Sequence, residues 1–446
     1  MRQLHQVIKR TGAVVPFNPD RITNAIYRAA VAVGGRDRQT AETLTHQVIQ
    51  LLEENGLLDQ IPTVEEIQDT VEKVLIENGH AQVAKAYILY RDERARTRRD
   101  RASRASAPST NIPWEKIWHV LDWAVDHALH TTAALNERIQ RNEMPEIIRE
   151  SETAYQEDVD TAVEMIAGRS RTVRMVIVSG PSSSGKTTTT IKINQHLQHL
   201  GCKLVTLNVD NYFYDLSLHP KDEFGDYDFE TPQALDLKLI NQHLSQLTAG
   251  EEVQIPHYDF KTGARTAETT PMRLAQNEIL LIDSLHGLYE GMTSSVPPEQ
   301  KFKLYLEPLL QIKDSRGNYA RWTDIRLIRR MLRDATHRSY DPSQTIEHWH
   351  YVRSSELRNI IPHIQQADFI INSAMPYELP LYRHKMLDLF THWAEKYQND
   401  PLRQDAYQRA VRVRDLLSEV LPFPDDSIVP ADSVIREFIG GSIYSY

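Results

Sequence analysis

The stretch Met175-Val-Ile-Val-Ser-Gly-Pro-Ser-Ser-Ser-Gly-Lys-Thr-Thr188 decides the fold of this chain. Met175–Ser179 is apolar and β-prone, and the residues from 185 to 200 read as a helix. Between them, Gly180 to Thr187 satisfies G-x-x-x-x-G-K-[ST], a strand–loop–helix whose backbone N–H groups converge on phosphate oxygens. The helix N-terminus adds a favourable potential for negative charge. Lys186 is expected to neutralise the β- and γ-phosphates, and the Thr187 hydroxyl to ligate Mg2+. Gly180, Ser182, Ser183, Ser184, Gly185, Lys186, Thr187 and Thr188 are therefore the candidates for holding ATP. A Gly/Ser turn without a ligand is the bland alternative.

Beyond residue 174, strand-like and helix-like segments alternate, which predicts an α/β fold with a parallel sheet flanked by helices. The other strand candidates are Leu204–Leu207, Ile279–Ile282, Lys303–Leu306 and Phe369–Ile371. Helices are expected over about 185–200, 232–248, 324–337, 343–365, 379–397 and 403–420. Asp210, in Val209-Asp-Asn-Tyr-Phe-Tyr214, follows the second strand, where strand carboxyl ends open onto a ligand crevice. A carboxylate there accepts an acceptor's hydroxyl proton or holds the hydroxyl in line with the γ-phosphate; an Asx turn cap is the competing reading. Asp283 ends the apolar strand Ile279-Leu-Leu-Ile282 and is expected at the metal. Arg326, Arg330 and Arg333 fall at i, i+4 and i+7 on one helix face, with Arg329 partly on it. That pattern suits a clamp on transferring phosphate, or else a solvated charged face.

The flanking regions set the rest. Residues 1–97 read as a small, mostly helical unit with a hairpin around Thr11-Gly12, an Asn18-Pro19 helix start and a capping box at Thr63-x-x-Glu66. Seven arginines lie between residues 91 and 104, a solvated helix end and linker or else a binding arm. Trp114, Trp118 and Trp123 open a helical stretch over 112–168 and are expected to pack in its core. The domain boundaries expected are 1–97, 98–168, 169–378 and 379–446. The chain has 446 residues and a net charge of −10, which argues against a general nucleic-acid partner. Its one cysteine, Cys202, rules out an intramolecular disulfide or a four-thiolate zinc ribbon and fits a cytoplasmic location. No apolar run approaches the ~20 residues of a membrane helix, and residues 1–10 have no apolar core like that of a signal peptide.

Five motifs in order give the chain a family likeness: Gly180–Thr188, Asp210–Tyr214, Tyr227-Asp-Phe-Glu-Thr-Pro232, Ile255-Pro-His-Tyr-Asp-Phe260 with Arg265, and Thr323–Asp334 with Arg338. Over about 174–378 it resembles the uridine kinase/phosphoribulokinase family. The resemblance implies ATP- and Mg2+-dependent phosphorylation of a small-molecule hydroxyl, with Asp210 as base. Thr187, Asp210 and Asp283 would then lie at the metal, and Arg330, Arg333 and Arg338 around the phosphates. The implied acceptor contacts are Asp210, Glu230, Tyr258, Arg330, Tyr340 and His348. This pocket departs from the uridine pattern. Glu230 stands where members usually carry Asp, Gly263 replaces a base-contacting His, Tyr340 replaces an Arg, and His348 aligns with a Gln. The segment Val429–Ser442 is similar to the end of longer bacterial members.

Val7-Ile-Lys-Arg-Thr-Gly12, Pro16-Phe17, Ile22 and Ala25, with Val83–Arg91, resemble an ATP-cone. That resemblance implies a regulatory nucleotide, ATP or dATP, with Lys9, Arg10 and Arg21 as its candidate contacts, and control through assembly states of a homo-oligomer. The reading is thus a nucleoside kinase under nucleotide control. A kinase for a non-nucleoside sugar and a nucleotide-sensing regulator with little catalysis are the alternatives; a motor ATPase fits the motifs less well.

Overall fold

The computed structural model describes residues 4–8, 14–35, 37–54, 61–88, 111–219, 231–337, 341–400 and 403–445. They fall into two units that divide near residue 110.

In the first unit, strands β1 (Gln6–Ile8) and β2 (Val14–Pro16) pair antiparallel, as a hairpin requires, while Thr11 and Gly12 lie outside the described residues. Helices α1 (Asp20–Ala32), α2 (Arg38–Glu54), α3 (Val64–Glu77) and α4 (81–88) follow. Asn18 Oδ1 accepts from Asp20 N at 2.8 Å, so it satisfies a first-turn donor of α1. The capping box forms in full: Thr63 Oγ1 accepts from Glu66 N, and Glu66 Oε2 accepts from Thr63 N. The apolar stripes of these helices enclose Ile26, Leu44, Val48, Val71 and Leu75.

The second unit begins with three helices, α5 (Trp114–Asp126), α6 (Thr132–Gln140) and α7 (Met144–Gly168). The sheet strands are β3 (Met175–Ser179) and β4 (Lys203–Leu207), then β7 (Glu278–Ser284), β8 (Lys301–Glu307) and β9 (Phe369–Asn372). A separate hairpin, β5 (Glu252–Asp259) with β6 (Ala264–Arg273), precedes β7. Helices α8 (Lys186–His199) and α9 (Leu237–Thr248) lie between the early strands. Helices α10 (Trp322–His337) and α11 (Pro342–Asn359) come before β9, and α12 (Glu378–Tyr397), α13 (Gln404–Glu419) and the short α14 (Arg436–Ile439) after it.

The five sheet strands run parallel in the order β4-β7-β3-β8-β9. A central parallel strand is buried on both faces. Accordingly, Val176 and Val178 face the core that contains residues of α7, α8 and α10 to α13, whereas Met175 and Ile177 face a second core with α9 and β5. Segments 112–168 and 379–446, expected as a connector and an extension, lie in the same unit as the sheet. Tyr155 of α7 meets Thr189 of α8 through their hydroxyls at 2.7 Å, both side chains buried. Asp158 of α7 accepts from Asn372 N at 2.9 Å, so α7 holds both the first turns of α8 and the end of β9.

Two expectations need correction. Trp114 and Trp118 are 53% and 64% exposed, not core residues. They sit four apart on one face of α5, and Ala124 is that helix's buried residue. The β5–β6 hairpin was not among the strand candidates. Its second strand is exposed almost throughout, so it lacks the apolar signal that marks the sheet strands.

Candidate active site

The order of the strands builds the site. β7 lies between β3 and β4, so the loop after β3, the carboxyl end of β7 and the turn after β4 sit side by side. The register sets Val178 opposite Asp283 and Leu207 opposite Ile282. Asp283 therefore stands between the phosphate loop and Asp210.

The loop itself is tightly constrained. A Cβ on Gly180 would overlap the Leu306 carbonyl oxygen, so the close passage over β8 requires glycine. Gly185 caps α8 at φ +92°, a left-handed conformation that glycine adopts without strain. Ser184 is fully buried and Ser183 nearly so, and the Ser184 carbonyl accepts from Ser373 Oγ. Thr187 is exposed, whereas Thr188 is buried. Lys186 Nζ donates to the Pro181 carbonyl at 3.3 Å, which curls the side chain over the loop. Burial lowers its ammonium from the ordinary lysine value, and the charges of Asp283 and Glu437 oppose that shift.

Asp283 is the most perturbed carboxyl of the site. Burial pushes it up to about 6; Lys186 pulls it down, while Glu437 and Asp210 push it further up. Asp210 starts a single 3-10 turn (Val209–Tyr212), where Asn208 Oδ1 accepts from Asp210 N at 3.0 Å. The Asx cap thus belongs to Asn208, and it leaves the Asp210 carboxylate free for the cleft. Asp210 is exposed at the cleft mouth, yet its walls crowd it enough that desolvation raises its pKa, against the attraction of Lys186. Lys186, Asp210 and Asp283 therefore form one electrostatic group.

Arg265 locks the turn that carries Asp210. It donates to the carbonyls of Phe213 at 2.8 Å and Tyr212 at 2.7 Å, and pairs with Asp236 at 3.1 Å. Beside that turn, Phe213 rests against His219, Tyr258 and Phe260, with ring centroids 5.5, 5.6 and 5.9 Å away. Tyr258 is buried, and its hydroxyl has no hydrogen-bond partner among the described residues. Gly263, at φ +67°, packs against Leu216.

The arginine helix divides into two kinds of residue. Arg326 and Arg329 are fully buried. Arg326 Nη1 and Nη2 donate to Glu356 at 2.5 and 2.8 Å, and Arg329 is clamped by Glu378 and Ser373. The face read for Arg326 does meet the phosphate loop, where its Nη1 donates to the Ser182 carbonyl at 3.2 Å, but its role as a phosphate clamp is corrected: its guanidinium is neutralised by Glu356 and Glu307 and ties α10 to α11 and β8. Arg330 and Arg333 are partly exposed and lie near Asp334. Arg330 Nη1 reaches Ser182 Oγ at 3.5 Å. His348 is on an exposed part of α11, with Nδ1 at the Gln344 carbonyl and its ring near Tyr351; none of its recorded contacts reaches the phosphate loop or Asp210. In the first unit Arg21 is exposed on α1. Lys9, Arg10, Glu230, Arg338 and Tyr340 lie outside the described residues.

Two residues at the site had escaped the sequence reading. His286 is 5% exposed, and neither ring nitrogen has a partner among the described residues. Burial, with His363 and Lys186 nearby, holds its imidazole down to about 4, so it is neutral. Its place, three residues past Asp283 at the end of an apolar strand, was the available signal. The second is Glu437, which reaches Thr188 from the far end of the chain.

The family model described as Phosphoribulokinase / Uridine kinase family matches residues 175–379, and the one described as ATP cone domain matches 5–96. A uridine kinase of Chloroflexus aurantiacus is 31% identical over 195 residues, covering 43% of this chain and 83% of the relative. The chain belongs to the phosphoribulokinase/uridine kinase family. A vitamin B12-dependent ribonucleoside-diphosphate reductase of Thermoplasma acidophilum is 40% identical over 103 residues, 22% of this kinase and 13% of the relative. A solved structure titled as a possible uridine kinase from Bacillus stearothermophilus covers 49% of this kinase and 98% of its own chain, at 16% identity and a TM-score of 0.34. Among the described residues of the kinase, no helix is long and apolar enough to cross a membrane.

Proposed function

We propose that this kinase transfers the γ-phosphate of ATP to a hydroxyl of a nucleoside or a closely similar sugar-bearing molecule, with Asp210 as general base. The observation that carries the reading is the grouping of Lys186, Asp283 and Asp210 at three neighbouring strand ends, with an aromatic wall beside Asp210. A planar base or the apolar face of a sugar would lie on Phe213 and Tyr258, and the unpartnered Tyr258 hydroxyl is available to a polar group of the acceptor.

Mg2+ fits the donors present. Among the described residues no cluster of three or more His, Cys, Asp or Glu forms a ready metal cage. Mg2+ is commonly held by one or two carboxylates together with substrate phosphates and water. Thr187 and Asp283 would hold it, with Asp210 nearby, and it would neutralise charge on the phosphates. Arg330 and Arg333 would stabilise charge that spreads over the transferring group. Arg330, Tyr258, Glu230, Tyr340 and His348 would contact the acceptor, and Arg338 the phosphates. ATP or dATP at the first unit, through Lys9, Arg10 and Arg21, would control activity by favouring one assembly state over another.

The test is a panel of nucleosides and phosphorylated sugars incubated with ATP and Mg2+, reading ADP release. Acceptor-dependent release with a nucleoside supports the reading. Release only with phosphorylated sugars would favour the sugar-kinase alternative, to which the loss of a base-contacting His at Gly263 points. No acceptor-dependent release with any member would reject both.

A further inference from the structure

Glu437 lies 249 residues from Thr188 in sequence, yet its Oε2 accepts from both the Thr188 N–H, at 3.3 Å, and the Thr188 hydroxyl, at 3.0 Å. Glu437 as a residue is 4% exposed. It is held there by the whole C-terminal segment. Val434 abuts the phosphate loop so closely that a Cβ on Gly185 would come within 2.5 Å of it. The Phe438 ring sits under the Arg329 guanidinium, 5.0 Å from its centroid. Ser433 bonds the Tyr377 hydroxyl at 3.0 Å, and Asp432 pairs with Lys192 at 2.9 Å. Arg436 donates to the carbonyls of Asp426 and Val429, which fixes the turn before Glu437.

The first N–H groups of an α-helix have no partner inside it. In a phosphate loop those donors, with the loop amides, receive the phosphate chain. Glu437 already occupies one such donor, and its charge is felt by both Lys186 and Asp283. A phosphate oxygen and a carboxylate oxygen cannot share the Thr188 donors, and like charges a few ångströms apart in a partly desolvated cleft repel.

We infer that Glu437 is a built-in competitor of the phosphate chain and sets the affinity of the loop for nucleotide: binding requires its carboxylate to leave Thr188. The inference rests on the phosphate-loop reading above. A purely structural cap on α8 would have the opposite consequence, since its loss would loosen the loop.

The experiment is displacement of a fluorescent ATP analogue by ATP and by adenosine from the full chain, comparing the otherwise wild-type chain with E437Q, E437A and K186A, each carrying K9A and R10A to remove the nucleotide site proposed for the first unit. E437Q keeps the size and an acceptor oxygen and removes only the charge. The expected result is ATP affinity raised about fivefold or more in E437Q and at least as much in E437A, with adenosine, which lacks phosphate, unchanged. ATP affinity equal to or weaker than wild type in E437Q overturns the inference, as does an equal gain for adenosine. If E437A does not fold, E437Q decides alone. If wild type and K186A bind ATP equally, the phosphate-loop reading itself fails and this inference falls with it.

Discussion

Arg329 and Glu378 are joined by two hydrogen bonds, Nε to Oε2 at 2.8 Å and Nη2 to Oε1 at 2.6 Å, with neither side chain exposed. Glu378 also accepts from the Tyr382 hydroxyl and from Met375 N. This pair therefore fastens α10 to the segment after β9. The next residue along α10, Arg330, is partly exposed and directed at Ser182.

The two neighbours should fail in different ways. Arg329→Ala leaves a buried carboxylate without its partner and is expected to destabilise the fold by about 3–5 kcal/mol. Arg330→Ala should leave the urea-unfolding midpoint within error but lower kcat by about 10²-fold. Denaturation curves and steady-state rates on the same preparations check both. Equal destabilisation by the two would reject the division of α10 into structural and catalytic arginines.

Asp210→Asn is expected to lower kcat by about 10²–10⁴-fold, the usual range for a lost general base, with ATP binding nearly intact. Because the folded environment raises the Asp210 carboxyl, the wild-type rate should climb as pH rises through that raised value and the base ionises. Equal losses in ATP affinity and rate would assign Asp210 to the metal instead.

Asp283 gives a stability prediction with a definite sign. Its carboxyl is raised from 3.8 to about 6 in the folded chain, so the native state holds the proton more tightly than the unfolded state does. Native stability is thus favoured at low pH and lost as pH rises from about 4 through 6. Asp283→Asn removes the cost of the buried charge. Without nucleotide, the variant should be more stable than wild type at pH 8 by about 1–3 kcal/mol, and the difference should vanish near pH 4. A variant less stable at pH 8 would show that the charge is fully compensated by Lys186.

Deleting residues 1–110 should abolish every effect of ATP or dATP beyond the catalytic site, seen as substrate-saturation curves and sedimentation profiles that no longer respond to added dATP. If the full chain and the truncated chain respond alike, nucleotide control does not reside in the first unit.

The sequence by itself determined the phosphate loop, the five sheet strands and the Thr63–Glu66 capping box. In each the signal is local: a run of apolar residues, a glycine at a required φ, or a side chain that bonds its own backbone three residues away. It also placed Asp210 and Asp283 at strand ends. Only the tertiary structure decided which residues of the arginine helix are available to a phosphate, because Glu356 and Glu378, which neutralise Arg326 and Arg329, lie 30 and 49 residues further on. It alone left Trp114 and Trp118 exposed, isolated the neutral His286 ring, and brought Glu437 to Thr188. Helical spacing shows which residues share a face, but not what that face meets; burial and charge pairing arise when distant segments pack, and no local pattern encodes that meeting.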